Sequence, residues 1–292
     1  MKPPQFEYLA PASMAEALGF LKEHGEQAKV LAGGQSLVPL MNFRLVRPGY
    51  LVDLNGIAEL AWIREEDGHL SIGAMTRQRA VERSSVVRER CPLLAEAMPL
   101  IGHFQIRNRG TIGGSLAHAD PAAELPAVVA ALRGDLVARG PKGERKIPVG
   151  RFFKGYLTTD LSPDEMLVGV RVPIAPPRMG SAFLEVSRRH GDFALVGVAA
   201  LLTLDAGGVC THASIALTGV GPVPVVAEQA AKAVVGVKPT PSSFEEAGKR
   251  VSAALSPDSD IHASAEYRKH VGGVLTRRAL ARAFDRARGE TR

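Results

Sequence analysis

The chain has 292 residues, 46% hydrophobic and 23% charged, with a net charge of +6. That length can bury a sizeable core in two or three modules, and no run approaches the roughly 18 apolar residues of a membrane helix. The N-terminal Met1-Lys2-Pro3-Pro4 lacks the apolar centre of a secretion signal, so a cytoplasmic location is expected. Two cysteines, Cys91 and Cys210, are too few for a four-thiolate cluster, and no metal site is expected on this chain. The basic residues are scattered, densest at Arg277, Arg278, Arg282, Arg286 and Arg288, and aromatics are only 5%, which argues against a nucleic-acid surface.

In chain order, Ser13-Met14-Ala15-Glu16 reads as a capping box opening a helix that Gly25 stops. A short strand, Lys29-Val30-Leu31, leads into the turn Ala32-Gly33-Gly34-Gln35-Ser36-Leu37, with Ser36 at an N-cap position and Pro39 inside the next helical turn. Strand Tyr50-Leu51-Val52-Asp53-Leu54 follows, then a hairpin of residues 61–64 and 69–72 around Glu66-Asp67-Gly68. Helices are expected at 77–88 and 92–101. A second glycine turn, Thr111-Ile112-Gly113-Gly114-Ser115-Leu116, precedes Asp120-Pro121, which reads as N-cap and first residue of a helix, with helical pattern continuing over 124–132.

Strands at 136–139 and 166–172 close this part, and Pro173, Pro176 and Pro177 mark a linker. Beyond it, alternation predicts antiparallel strands at 182–188, 194–204 and 211–217, then helices at 244–254 and 265–288. The fold class expected is α+β, divided at 1–55, 56–175 and 178–292.

The chemistry concentrates in the two glycine turns. A Gly-Gly pair lets backbone approach an anion with no Cβ in the way, and amides opening the following helix point at it. Two such turns suggest two clamps on one phosphate-bearing ligand. Neither matches G-x-G-x-x-G or G-x-x-x-x-G-K-[ST], which excludes the Rossmann and P-loop fingerprints. Lys29 and Arg107 are candidate phosphate partners, and either glycine pair could instead serve a tight turn alone.

The string from Gln105 to Pro126 around the second turn, together with the first turn from Lys29 to Pro39, resembles the flavin-binding signature of the medium subunit of molybdenum hydroxylases, the carbon monoxide dehydrogenase and xanthine dehydrogenase family. The similarity extends over Arg189-His190-Gly191-Asp192-Phe193-Ala194 and the late stretch Glu266-Tyr267-Arg268 to Arg277-Arg278. It implies a two-part FAD-binding domain of the vanillyl-alcohol-oxidase/PCMH type followed by a C-terminal α+β domain.

By the same resemblance, non-covalent FAD is held by Lys29, Ala32, Gly33, Gly34, Gln35, Ser36, Leu37, Thr111, Ile112, Gly113, Gly114, Ser115, Asp120, Glu124, Asp192 and Phe193. The family usually has Asn at position 115 and Asp at 124. Phe193 is expected to cover the isoalloxazine ring or to pack in the core. A small 2Fe-2S subunit and a large molybdopterin subunit are the implied partners, in a dimer of heterotrimers, with substrate oxidised on the large subunit and electrons leaving through FAD. The flavin supplies the redox chemistry, and no catalytic side chain is identified here. A self-contained flavin oxidase or dehydrogenase, or a non-redox nucleotide-binding module, are the alternatives.

Overall fold

The computed structural model describes residues 2–290. Its first unit is a small parallel sheet: β1 (Glu7–Leu9), α1 (Met14–His24), β2 (Ala28–Leu31), α2 (Leu37–Asn42) and β3 (Tyr50–Asp53), with β3 between β1 and β2. The Ser13 hydroxyl caps α1 by accepting the Glu16 amide at 3.2 Å, while the Glu16 carboxylate reaches one residue beyond the expected box, to the amide of Ala12. Ala17 and Leu21, one turn apart, bury the inner face of α1 against Val52 and Leu54.

The second unit runs β4 (Ile63–Glu66), β5 (His69–Gly73), α3 (Gln78–Arg83), α4 (Ser85–Arg90), α5 (Pro92–Ala97), α6 (Phe104–Arg109), α7 (Ile112–His118), α8 (Glu124–Ala131), β6 (Asp135–Gly140), β7 (Gly143–Pro148), α9 (Val149–Phe152), β8 (Phe153–Gly155), β9 (Thr158–Thr159) and β10 (Met166–Pro173). Its sheet has the order β4-β5-β10-β6-β7, and all its pairings are antiparallel. The apolar helix α8, buried along its whole length, lies under it.

Two expected helices prove to be broken. Ser84 has extended dihedrals and turns its hydroxyl to the Val87 amide, so the 77–88 stretch divides into α3 and α4. Pro99 can donate no hydrogen bond, so α5 tightens into a 3-10 turn over Met98–Leu100.

The third unit comprises β11 (Met179–Ser187), β12 (Ala194–Leu204), β13 (Cys210–Thr218), β14 (Val225–Val226), α10 (Glu228–Ala231), α11 (Pro241–Ala254) and α12 (Ala265–Ala287). The strands form an antiparallel meander in sequence order. One face packs under α11 and α12; Ala199, Leu201 and Ala216 on the other join the core beneath α8. Arg286 of α12 donates to Glu96 of α5 at 2.6 Å, so one member of the terminal arginine cluster faces inward and pins the second and third units together. The mixed helix and sheet architecture is the α+β class expected.

Candidate functional site

The two glycine segments meet. A Cβ on Gly33 would lie 2.5 Å from the Arg109 carbonyl oxygen and 2.7 Å from Gly110 Cα, and one on Gly114 would lie 3.3 Å from Ala32 Cβ. The glycines therefore let the segments touch, besides opening space for a ligand.

Their chemistry differs. Among the described residues, the amides of Gly33, Gly34, Gln35, Ser36 and Leu37 have no protein acceptor. Gly34 has φ +72°, in the left-handed region that turns successive N–H groups toward one side. Ser36 occupies the N-cap position of α2 but makes no capping bond, so its hydroxyl is also available.

The second segment is not a free turn. Gly113 and Gly114 lie in the first turn of α7, and its opening amides are taken: Ile112 by Thr76 O, Gly113 by Ala74 O, Gly114 by Thr111 Oγ1 and Ser115 by Thr111 O. Gly113 lies so close to Ala74 that a Cβ would stand 2.4 Å from the Ala74 Cβ. Close packing on the β5–α3 turn outweighs the poor helix propensity of two glycines.

A strap that the sequence did not reveal ties the segments together. The Arg77 guanidinium donates to the Arg109 carbonyl and, at 2.6 Å, to Asn55 Oδ1; Asn55 Nδ2 donates to Ala32 O at 2.9 Å. A bridge between Arg77 and Thr111 and a bond from the Gln78 amide to Gly110 O (2.8 Å) complete the link. These polar residues lie far apart in sequence and carry no motif, so only the topology brings them together.

Between the first and second units, with the β11–β12 turn of the third at its edge, opens a cleft of about 890 Å³, at the upper end for a small-molecule site. Its lining includes Lys29, Ala32, both glycine segments from 33–37 and from Thr111 to Ser115 except Ile112, and Asp120, Glu124, Asp192 and Phe193. Of the sixteen residues expected at the site, Ile112 alone does not line the cleft; it is fully buried in the core beneath it. A wall formed by Leu157, Thr158, Thr159, Leu161 and Ser162 was not anticipated, because the two-residue strand β9 within it is too short to show a periodic pattern.

Phe193 is exposed, which removes the core-packing reading. It lies in the β11–β12 turn, where Gly191 has φ +87° and sits against the His103 ring, leaving no room for a Cβ. Arg107 is not a phosphate partner: its buried guanidinium bonds Glu82 and the carbonyls of Pro99, Ile101 and Gly102. Lys29 is the cationic lysine of a lining that also holds Glu26, Asp120, Glu124, Glu165 and Asp192, and burial lowers the His118 pKa. An anion in this cleft must be met mainly by backbone amides.

Asp120 does not cap a helix started by Pro121. Its Oδ1 accepts the Ala122 amide within a turn, and α8 begins at Glu124. The Pro121 carbonyl, which a helix there would need, accepts instead from the Gly219 amide at 2.8 Å and the Thr218 hydroxyl at 2.7 Å. The end of β13 thereby fixes Asp120 and Glu124 at the cleft. Arg268 secures that end in turn, donating to the carbonyls of Leu195 and Gly219 and to Asp260. Burial pushes the Glu124 pKa up to about 7, with the nearby Asp120 charge adding to the rise.

Residues 4–175 match the family model described as the FAD binding domain in molybdopterin dehydrogenase, and residues 181–283 match the CO dehydrogenase flavoprotein C-terminal domain. The chain is 43% identical to the 6-hydroxypseudooxynicotine dehydrogenase complex subunit alpha of Paenarthrobacter nicotinovorans, over 99% of this chain and 97% of that one. It is 40% identical to the caffeine dehydrogenase subunit beta of a Pseudomonas species, over 98% and 97%. Among solved structures, the carbon monoxide dehydrogenase of Hydrogenophaga pseudoflava superposes with a TM-score of 0.95 at 41% identity, over 98% of this chain and 99% of the other. The chain therefore belongs to the FAD-binding medium subunits of the molybdenum hydroxylase family, and is a component of an oxidoreductase.

Proposed function

We propose that this chain is the electron outlet of a cytoplasmic three-subunit molybdenum hydroxylase, receiving electrons from a small 2Fe-2S subunit and delivering them to an external acceptor, while a large molybdopterin subunit oxidises the substrate. The observation that carries this reading is the row of free amides at residues 33–37, opening on a cleft large enough for a dinucleotide and backed by a second glycine segment locked in place. When bound, FAD would take electrons one at a time and deliver them singly or in pairs.

The chain's own residues bind and orient. The amides of Gly33, Gly34, Gln35, Ser36 and Leu37 and the Ser36 hydroxyl would hold the diphosphate without bringing a large positive charge to it. Ala32, Gly113 and Gly114 keep the floor narrow; Lys29, Thr111, Ser115, Asp120 and Glu124 are the polar groups for the remaining edges, and Ile112 supports them from the core. Phe193 offers a ring face at the mouth, and the Asp192 amide closes its turn by donating to the Arg189 carbonyl at 3.1 Å. Residues 1–55 and 56–175 form the two halves of the binding unit in this reading, and 178–292 covers it. The substrate is set by another chain, in keeping with relatives named for compounds as unlike as caffeine and carbon monoxide.

The test is removal of flavin from the assembled complex. Substrate should still reduce the iron–sulfur centres, acceptor reduction should be lost, and added FAD should restore it. Acceptor reduction at the full rate without flavin would refute the assignment.

A further inference from the structure

Beside the second glycine segment stands a polar side chain that the binding scheme leaves idle. Gln78 opens α3, its backbone amide donating to the Gly110 carbonyl at 2.8 Å. Its side chain lines the cleft, yet the residue is only 4% exposed, and Oε1 is sealed from solvent with no hydrogen-bond partner. Leaving an amide oxygen in that state destabilises the chain, and a methionine of similar length would fill the space without an unpaired polar atom. A buried polar atom without a partner calls for one that arrives with the ligand.

Glycine contacts fix where along the cleft Gln78 stands. A Cβ on Gly110 would lie 2.5 Å from Gln78 Oε1 and 3.2 Å from the Ile106 carbonyl oxygen. Gly110 in turn touches Gly33, at the edge of the free amides. From there the wall continues through Ile106, whose side chain comes within 3.0 Å of where a Gly102 Cβ would stand, to His103, whose ring packs on Gly191 in the turn that carries Phe193. Gln78, Ile101, Gly102, Ile106 and Gly110 all line the cleft, and Gln78 has the only polar side chain of the five. It therefore stands between the diphosphate clamp and the Phe193 turn.

We propose that the Gln78 amide receives the pyrimidine edge of the isoalloxazine, Oε1 accepting from flavin N3–H and Nε2 donating to the C4 carbonyl. The inference rests on the FAD reading above. The chemistry selects this edge: an amide oxygen only accepts, so Oε1 cannot serve the diphosphate oxygens, and N3–H is the donor that the oxidised ring system offers. A carboxamide matches the adjacent N3–H and C4 carbonyl as an acceptor–donor pair, by the same logic that pairs glutamine with adenine. The terminal torsion of glutamine is broad, so the amide turns from Gly110 to the ligand while the rest of the side chain keeps its rotamer.

The experiment compares FAD with its N3-methyl analogue in fluorescence titrations of the flavin-free full chain. Methylation removes the N3 donor and leaves the diphosphate and adenine unchanged. The native chain should bind the analogue about tenfold more weakly, the equivalent of one hydrogen bond. Gln78→Met should bind FAD about tenfold more weakly than the native chain does and should no longer separate the two flavins. A merely structural glutamine would instead shift the thermal unfolding midpoint and leave the preference for FAD intact.

Equal affinity of the native chain for both flavins would overturn the contact, as would a native preference retained in Gln78→Met. A native chain that binds neither flavin would overturn the FAD reading instead. Should Gln78→Met not fold, Gln78→Asn takes its place: its amide falls one methylene short, and it should lose the same preference.

Discussion

Replacing Gly33 with alanine separates the packing role of the glycine pairs from the fold. The new Cβ would stand 2.5 Å from the Arg109 oxygen, against 3.4 Å for ordinary contact, so the two segments must part by roughly 0.9 Å. The opposing atoms are backbone, and the Arg77–Asn55 strap holds them, so they cannot rotate away. Such overpacking costs about 1–3 kcal/mol.

In the flavin-free chain the cleft relieves part of that strain by opening. With FAD spanning both segments it cannot, so most of the cost falls on binding, a loss of roughly 5- to 150-fold in affinity. Equilibrium FAD titration beside thermal unfolding measures both. Gly19→Ala is the control: it lies in α1 with nothing within 4 Å of its Cβ, and it should raise helix stability by up to about 1 kcal/mol with affinity unchanged. Native affinity in Gly33→Ala, or a loss fully accounted for by unfolding, would refute the role given to this contact.

Three further outcomes follow from the same geometry. Arg77→Met keeps the stem but removes the strap; it should weaken FAD binding by about 2 kcal/mol, roughly 30-fold, while circular dichroism stays native. Arg286→Ala leaves the partly buried Glu96 without its main partner and should lower stability by about 1–2 kcal/mol in denaturant unfolding, whereas Arg282→Ala, 3.8 Å from Glu96 and half exposed, should change it little. Burial pushes the Cys91 thiol up to about 12 and raises Cys210, so neither should alkylate in the folded chain at pH 8, and rapid modification before unfolding would contradict their placement.

Long, strongly patterned elements were legible from sequence. The expected strand at 194–204 has the bounds of β12, and the terminal helix differs from α12 by one residue at its end. What escaped was set by tertiary contact. The Gly113-Gly114 pair reads locally as a turn, yet α7 forms because that backbone must lie on Ala74. Asp120-Pro121 reads locally as a helix start, yet Thr218 and Gly219, almost a hundred residues later, claim the Pro121 carbonyl.

The site shows the same division. Its glycine segments carry a recognisable string, and all but one of the named residues line a single cleft. The Arg77–Asn55 strap and the Leu157 to Ser162 wall have no local signature, since each acquires meaning from a partner on another element. The division of phosphate duty was also hidden: only hydrogen-bond accounting separates the free amides of 33–37 from the occupied ones that open α7.

The central claim is that FAD lies in this cleft with its diphosphate on the first glycine segment. An experimental structure of the purified complex tests it most directly. Diphosphate density is expected within hydrogen-bonding distance of the amides of Gly33 to Leu37, with the isoalloxazine toward Glu124 and Phe193. Flavin density elsewhere, or a diphosphate making no contact with those amides, would contradict it.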